Sequence, residues 1–348
     1  MKKQVHGGDV YRHPQAIDFS ANMNPLGVPA SVIAAATESL SKIERYPDVF
    51  KNKLRAALAI YEGVDSEHII CGNGAAELIF ALTLALKPRK ALLPIPTFAE
   101  YEQALRAVDC DIKYYQMVKD FTLDEGILDY IDEEQDIMFI CNPNNPTGFV
   151  VDSDLMTKII KKCQVCQVFL VVDECFQDFI EEADVHTLKG TLTADSPIFL
   201  LKAFTKRYAM PGIRLGYGLC QEAKVLAKMN QVMQPWNISI PAEAAGIAAL
   251  QETAYVKKAQ QLVQVERKYL MDELQKLPLT VYHSQANYIF FKGPDNLYDD
   301  CIKQNILIRD CQNYQGLSKG YYRIAVRTHA ENEKLVAVFM RILDDKGE

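Results

Sequence analysis

Residues 197–219 read PIFLLKAFTKRYAMPGIRLGYGL. The uninterrupted apolar run Ile198 to Leu201 has the character of a strand buried on both faces. A polar turn from Lys202 to Arg207 places Lys206 just past the strand, and Met210-Pro211-Gly212 turns the chain again. Ile213-Arg214-Leu215-Gly216 then opens a second apolar strand. Lys206 and Arg214 admit two readings: a pair of solvated cations on a loop, or a nucleophilic lysine at a strand's carboxyl end with an arginine beside it to hold an anion.

Outward from this stretch, apolar strands and helical patterns alternate. Ile69–Cys71 is followed by Gly72-Asn73-Gly74 and a helix; Ala91–Leu93 by a helix over 98–108; Ile137–Cys141 by a helix over 153–162; and Val168–Asp173 leads back to the opening stretch. This rhythm predicts an α/β fold, a mostly parallel sheet covered by helices on both faces. Helical periodicity also marks 29–40 and 50–61, and Ile17–Phe19 reads as an edge strand. Residues 242–274 are helical almost throughout and read as a bridge. Beyond Leu279, strand-like runs at 288–291, 306–309 and 321–326 precede a last helix over 331–343. The expected organisation is an N-terminal arm and part of a small domain (1–40), a large domain (41–240), and a smaller α+β domain with its bridging helix (241–348).

Composition bounds the partners. A chain of 348 residues with 49% hydrophobic residues and a net charge of −7 has a large core and no basic cluster for nucleic acid. No apolar run is long enough to cross a membrane, and the N-terminus lacks the apolar core of a signal peptide, which leads us to expect a cytoplasmic protein. Nine cysteines, many inside apolar strands, suit a reducing compartment. Cys163 and Cys166 form a CxxC with no second pair of ligands, so they are read as structural, and no metal is expected. Trp236, the single tryptophan, is assigned to core packing, with lining the cleft as the alternative.

In open α/β sheets ligands sit beyond the carboxyl ends of the strands, and four such ends carry suggestive residues. The Gly72–Ala76 turn, GNGAA, opens a helix whose free N–H groups could receive a phosphate. In NPNNPTG (142–148), two prolines would hold Asn145 rigidly. Asp173, after LVV, needs a cationic partner or a raised pKa, and a protonated pyridine nitrogen would serve. With Lys206 and Arg214, the set matches what pyridoxal phosphate requires: a lysine for the Schiff base, a carboxylate for the ring nitrogen and an arginine for the phosphate.

NPNNPTG, the Asp-Glu-Cys-Phe at 173–176, the Thr-Lys pair with an arginine eight residues on, and YRIA at 322–325 resemble the fold-type-I pyridoxal-phosphate enzymes of aminotransferase class I/II. Order and spacing are similar to the histidinol-phosphate aminotransferase branch over nearly the whole chain. HGGDVYRHP, IDFSANMNPLG, IERYPD, PTFAEYEQAL and ILIRDCQNYQGLSKGYYRIAVR resemble more closely the threonine-phosphate decarboxylase branch.

The resemblance implies a residue-by-residue site. Lys206 would be the Schiff-base lysine, Asp173 the partner of the ring nitrogen, Asn145 a donor to the ring's 3-oxygen, and Phe98 the stacking ring. Ala75, Ala76, Thr205 and Arg214 would cup the cofactor phosphate, and Tyr46 would reach it from the second subunit of a homodimer. Arg323 would bind the substrate carboxylate, with Asn22 and His6 close by; Arg327 and Arg309 would serve a substrate phosphate. The implied reaction is decarboxylation of L-threonine O-3-phosphate to (R)-1-aminopropan-2-yl phosphate for cobalamin synthesis. The alternatives are a histidinol-phosphate aminotransferase and an O-phosphoserine decarboxylase. Two departures stand out. Ala203 occupies a position often Ser or Thr, with Lys202 a candidate to compensate, and Phe176 replaces a tyrosine that many aminotransferases place on the 3-oxygen.

Overall fold

A computed structural model describes residues 6–118, 120–193 and 196–344. The chain begins with strand β1 (Ile17–Asp18) and helices α1 (Ala30–Ser39) and α2 (Asn52–Glu62). It then alternates β2 (Ile69–Gly72), α3 (Gly74–Leu86), β3 (Lys90–Ile95), α4 (Ala99–Arg106), β4 (Asp111–Gln116) and β5 (Ile137–Cys141). Next come α5 (Ser153–Cys166), β6 (Phe169–Asp173), the single turn α6 (Ala183–His186), β7 (Ile198–Ala203), α7 (Phe204–Arg207) and β8 (Gly216–Cys220). Helices α8 (Ala223–Val232), α9 (Ile240–Ala249) and α10 (Thr253–Leu274) follow. The last part is β9 (Thr280–Val281), β10 (Tyr288–Lys292), α11 (Leu297–Lys303), β11 (Ile306–Leu307), β12 (Arg309–Asp310), β13 (Tyr321–Ala325) and α12 (His329–Asp344).

Seven strands form the main sheet in the order β2-β8-β7-β6-β5-β3-β4. The pairs from β4 to β7 are parallel, and β8 runs antiparallel to both neighbours. Strands β5 and β6 are buried along their whole length, as expected of central strands covered on both faces. One apolar cluster, with Leu78, Leu82, Phe139 and Phe199, fills one side of the sheet; a second, with Leu54, Met138, Ile159 and Leu215, fills the other. The helical stretch anticipated over 242–274 is two helices, broken between Leu250 and Glu252.

A smaller antiparallel sheet, β12-β13-β10-β9, carries the C-terminal half of the site. Strand β1 pairs in parallel with β11, so the N-terminal segment is sewn to this later part of the chain.

Strand direction positions the site. Because β8 is antiparallel, its amino end lies at the same edge as the carboxyl ends of β2, β5, β6 and β7, and Arg214 just before it arrives beside Asp173 and Lys206. Close approach there depends on glycine. A Cβ on Gly216 would sit 2.5 Å from the Ala75 backbone nitrogen. Gly74, at φ +79°, lies flat under the Arg214 guanidinium, and a Cβ there would meet Nη2 at 2.3 Å.

Candidate active site

A cavity of about 600 Å³ opens at this edge. Its lining brings together Lys206, Asp173, Asn145, Phe98, Ala75, Ala76, Thr205 and Arg214 with His6, Asn22, Arg309 and Arg323. Twelve sequence-expected residues thus converge on one space, from the arm, five strand ends and the small sheet.

Lys206 ends β7's turn, enclosed, and its amine is lowered to about 8, first by burial and then by the nearby Arg323. A neutral fraction is therefore available near neutral pH for attack on a carbonyl. Asp173 closes β6. Its Oδ2 accepts from the Tyr101 hydroxyl at 2.6 Å and its Oδ1 from the Cys175 backbone N–H at 2.9 Å. Burial pushes its carboxyl up despite these donors, which leaves it in need of a cation.

Asn145 follows β5 between Asn144 and Pro146, in a loop locked by Asn144 bonds to Pro96 O (3.0 Å) and Thr147 Oγ1 (2.8 Å). Its Oδ1 accepts from Arg323 Nη1 and from Tyr314 Oη, the latter at 3.2 Å. Two donors on the oxygen fix the amide, so Nδ2 is the free donor. At the opposite end, α3 presents its uncapped amino terminus, with Arg214 packed on Gly74 and anchored to Pro211 O at 3.2 Å. This is an anion cradle: unsatisfied N–H groups, a positive dipole end and a guanidinium.

The substrate half is built on the small sheet. Arg309 and Arg323 stand directly opposite each other across β12–β13, each about 5% exposed. Arg309 bonds Asp310 O (2.6 Å) and Asn313 Oδ1 (2.8 Å); Arg323 also bonds Ser20 O (2.9 Å) and keeps Nε buried without a partner. Among the described residues neither forms an ion pair with a carboxylate. Like charges facing each other across a ladder are unfavourable, so this pair calls for an anion. Asn22, fully buried, has both amide atoms unpartnered and faces the same space.

Three expectations are corrected by placement. Arg327, two residues beyond the end of β13, does not line the cavity. Arg327 instead bonds Asp18 O (2.9 Å) and Glu331 Oε1 (2.8 Å) over the Phe19 ring. Lys202 does not reach the phosphate cradle; it is buried between Glu174 (3.3 Å) and Glu62 (3.5 Å). Burial opposes its charge, but the two carboxylates prevail and hold it above the usual lysine value. Trp236 is not in the core; 45% exposed, it stacks on Tyr46 with ring centroids 4.5 Å apart. Tyr46 is 78% exposed and lies outside its own chain's cavity. Cys163 and Cys166 are buried unpaired thiols at the end of α5, the former pushed up to about 12 by burial.

Three cavity-side residues escaped the sequence reading. Tyr101 sits in the first turn of α4, buried beneath the cavity, and its reach to Asp173 is set by tertiary packing. Tyr314 lies in a loop with no periodic signal. Glu100 looked like an ordinary first-turn acid.

The chain belongs to the aminotransferase class I and II family, whose model matches residues 14–339. Membership makes pyridoxal 5′-phosphate its cofactor, and the residues fit that group: the α3 cradle suits a phosphate, Asp173 a ring nitrogen and the Asn145 amide a ring oxygen. Among particular relatives, it is 38% identical to the threonine-phosphate decarboxylase of Salmonella typhimurium, over 97% of this chain and 96% of that protein. It is 30% identical to an adenosylcobalamin biosynthesis bifunctional protein of Leptospira interrogans, over 98% of this chain and 41% of that protein. The crystal structure of a histidinol-phosphate aminotransferase from Clostridium acetobutylicum superposes with a TM-score of 0.88 at 29% identity, covering 94% of this chain and 99% of that one.

Proposed function

We propose that this protein decarboxylates L-threonine O-3-phosphate to (R)-1-aminopropan-2-yl phosphate, in the service of cobalamin synthesis. The observation that carries this reading is the buried Arg309–Arg323 pair, which among the described residues forms no ion pair with a carboxylate and faces the same cavity as Lys206. An amino acid bearing a phosphate supplies two anionic ends for two guanidiniums.

When bound, pyridoxal phosphate supplies an electron sink for whichever bond at the substrate's Cα stands perpendicular to its ring. The chain's residues decide which bond that is. Arg323, through its unpartnered Nε, and Asn22 hold the carboxylate, while Arg309 and His6 hold the phosphate; fixing both ends sets the rotation at Cα. Asp173, whose carboxylate accepts from Tyr101, would hold the proton on the ring nitrogen. Lys206 would accept the amino group's proton on entry and return a proton to Cα.

The active form is a homodimer in this reading. Tyr46 and Trp236 stand with Ile33, Leu40, Ile43 and Phe50 as exposed apolar residues, which supports a partner surface through which Tyr46 reaches the other cofactor phosphate. The buried unpaired cysteines support a cytoplasmic setting.

The test is carbon dioxide release from L-threonine O-3-phosphate by the holoenzyme with no 2-oxo acid present, run beside O-phosphoserine and Lys206→Ala. Catalytic release that disappears in the variant supports the reading. Amino transfer from histidinol phosphate to 2-oxoglutarate, without such release, would replace it with the aminotransferase.

A further inference from the structure

Glu100 is a carboxylic acid in the substrate half of the cavity with no assigned task. It stands in the first turn of α4, one position after Ala99 and beside the Phe98 ring position. Its side chain is only 13% exposed; Oε1 lies 3.4 Å from His6 Nδ1, and Oε2 is buried with no partner. Facing it are His6 from the arm, Arg309 from β12, Tyr314 from the following loop, Lys206 from α7 and Asp173 from β6. On its own helix, Glu102 and Arg106 bond each other at 2.7 Å and leave it alone. A buried, unpartnered acceptor oxygen on a residue that lines the cavity needs either a donor or its own proton.

We propose that Glu100 is a proton-linked specificity residue: ionised in the ligand-free cavity without pairing to either arginine, it takes up one proton as an anionic substrate seats beside it. As the neutral acid its carboxyl then donates a hydrogen bond to the substrate's phosphate. This rests on the reading above that the cavity takes a phosphorylated amino acid. Such a substrate brings a carboxylate and a phosphate against two arginines. An ionised Glu100 would add a third negative charge in a poorly solvated space, whereas a protonated one turns repulsion into a donor. Burial already holds this carboxyl at about 7, with Arg309 and Lys206 pulling the other way, so solvent can supply the proton near neutral pH. The step is COO⁻ + H⁺ → COOH at Glu100; no other bond changes.

The probe is 3-phosphoglycerate, which carries the carboxylate and phosphate of such a substrate but no amine to react with the cofactor. Calorimetric titration of the holoenzyme at pH 8, in buffers of different ionisation enthalpy, counts protons taken up per ligand. Uptake at the lysine–cofactor linkage is followed separately by its visible absorption. Wild type is expected to take up about 0.9 proton more than Glu100→Gln, and the variant to bind roughly tenfold tighter at pH 8 while matching wild type near pH 6. The variant-to-wild-type ratio cancels the ligand's own ionisation. Equal proton uptake in the two proteins, or weaker binding by the variant at pH 8, overturns the assignment of Glu100 alone. No binding of the probe to either protein overturns the phosphorylated-substrate reading and this inference with it. A visible spectrum unchanged by Glu100→Gln shows that the cofactor site is intact, so a folding defect is told apart from each of these results.

Discussion

Tyr101→Phe removes one oxygen atom and nothing else from a buried pair. The Tyr101 hydroxyl is the donor to Asp173 Oδ2 at 2.6 Å, and the tyrosine is fully buried beneath the Phe139 ring, 5.0 Å between centroids. Without it the carboxylate keeps the Cys175 N–H on Oδ1 but loses its hydroxyl donor. A hydrogen bond to a charged group contributes about 1.5–3 kcal/mol, so the ionised carboxylate loses that much relative to the neutral acid. Asp173, already raised by burial, is pushed up further by loss of that donor. A protonated ring nitrogen requires the ionised form, so pyridoxal phosphate affinity is expected to fall about 10- to 100-fold. The sign fixes the pH trend: affinity is lost as pH falls through the Asp173 pKa, and in the variant that loss begins at higher pH. Equilibrium dialysis of the cofactor from pH 6 to 9 measures both. An affinity within twofold of wild type across that range would refute the idea that Tyr101 sustains the Asp173 charge.

Three further outcomes are expected. Gly74→Ala drives a methyl group into the Arg214 guanidinium at a left-handed backbone position, so the preference for pyridoxal phosphate over phosphate-free pyridoxal, measured as a ratio of dissociation constants, should fall at least about tenfold. Lys202→Met strands Glu62 and Glu174 without their shared cation, and urea unfolding should show a loss of about 3–5 kcal/mol, toward the low end because Lys189 (3.2 Å) and Tyr217 still serve Glu62. Recombination of the apoenzyme with pyridoxal phosphate, followed by stopped-flow absorption, should quicken with rising pH and level off above about 8, where Lys206 is neutral; a rise continuing toward 10 would mean that burial does not depress this amine.

The parts of this molecule that were legible in the sequence share a physical cause. Strands β5, β6 and β7 are covered on both faces and so appear as unbroken apolar runs, and the residues at their ends sit where a parallel sheet must deliver them. Strand β4, at the sheet's edge, alternates instead; Asp111, Lys113 and Gln116 carry too much polarity to register as a strand. Arg327 was drawn to the substrate phosphate by the resemblance alone, and local sequence does not reveal that its guanidinium turns to Asp18 O and Glu331. Glu100 and Tyr314 gave no signal, since what singles them out is what they face, and only tertiary packing decides that. The chemistry of Lys206 and Arg214 was within reach because local turns place both; the burial that tunes Lys206 was not.

The pairing of β1 with β11 joins Ile17 to Ile306 and Asp18 to Leu307. During synthesis the arm that bears His6 and Asn22 emerges first, yet its docking strand emerges almost last. The main sheet, complete by Cys220, can assemble earlier and present the α3 cradle and Lys206 while the small sheet is still unmade. Closing so long a loop is entropically slow. A nascent chain should therefore acquire the means to retain its cofactor before it acquires the means to choose a substrate.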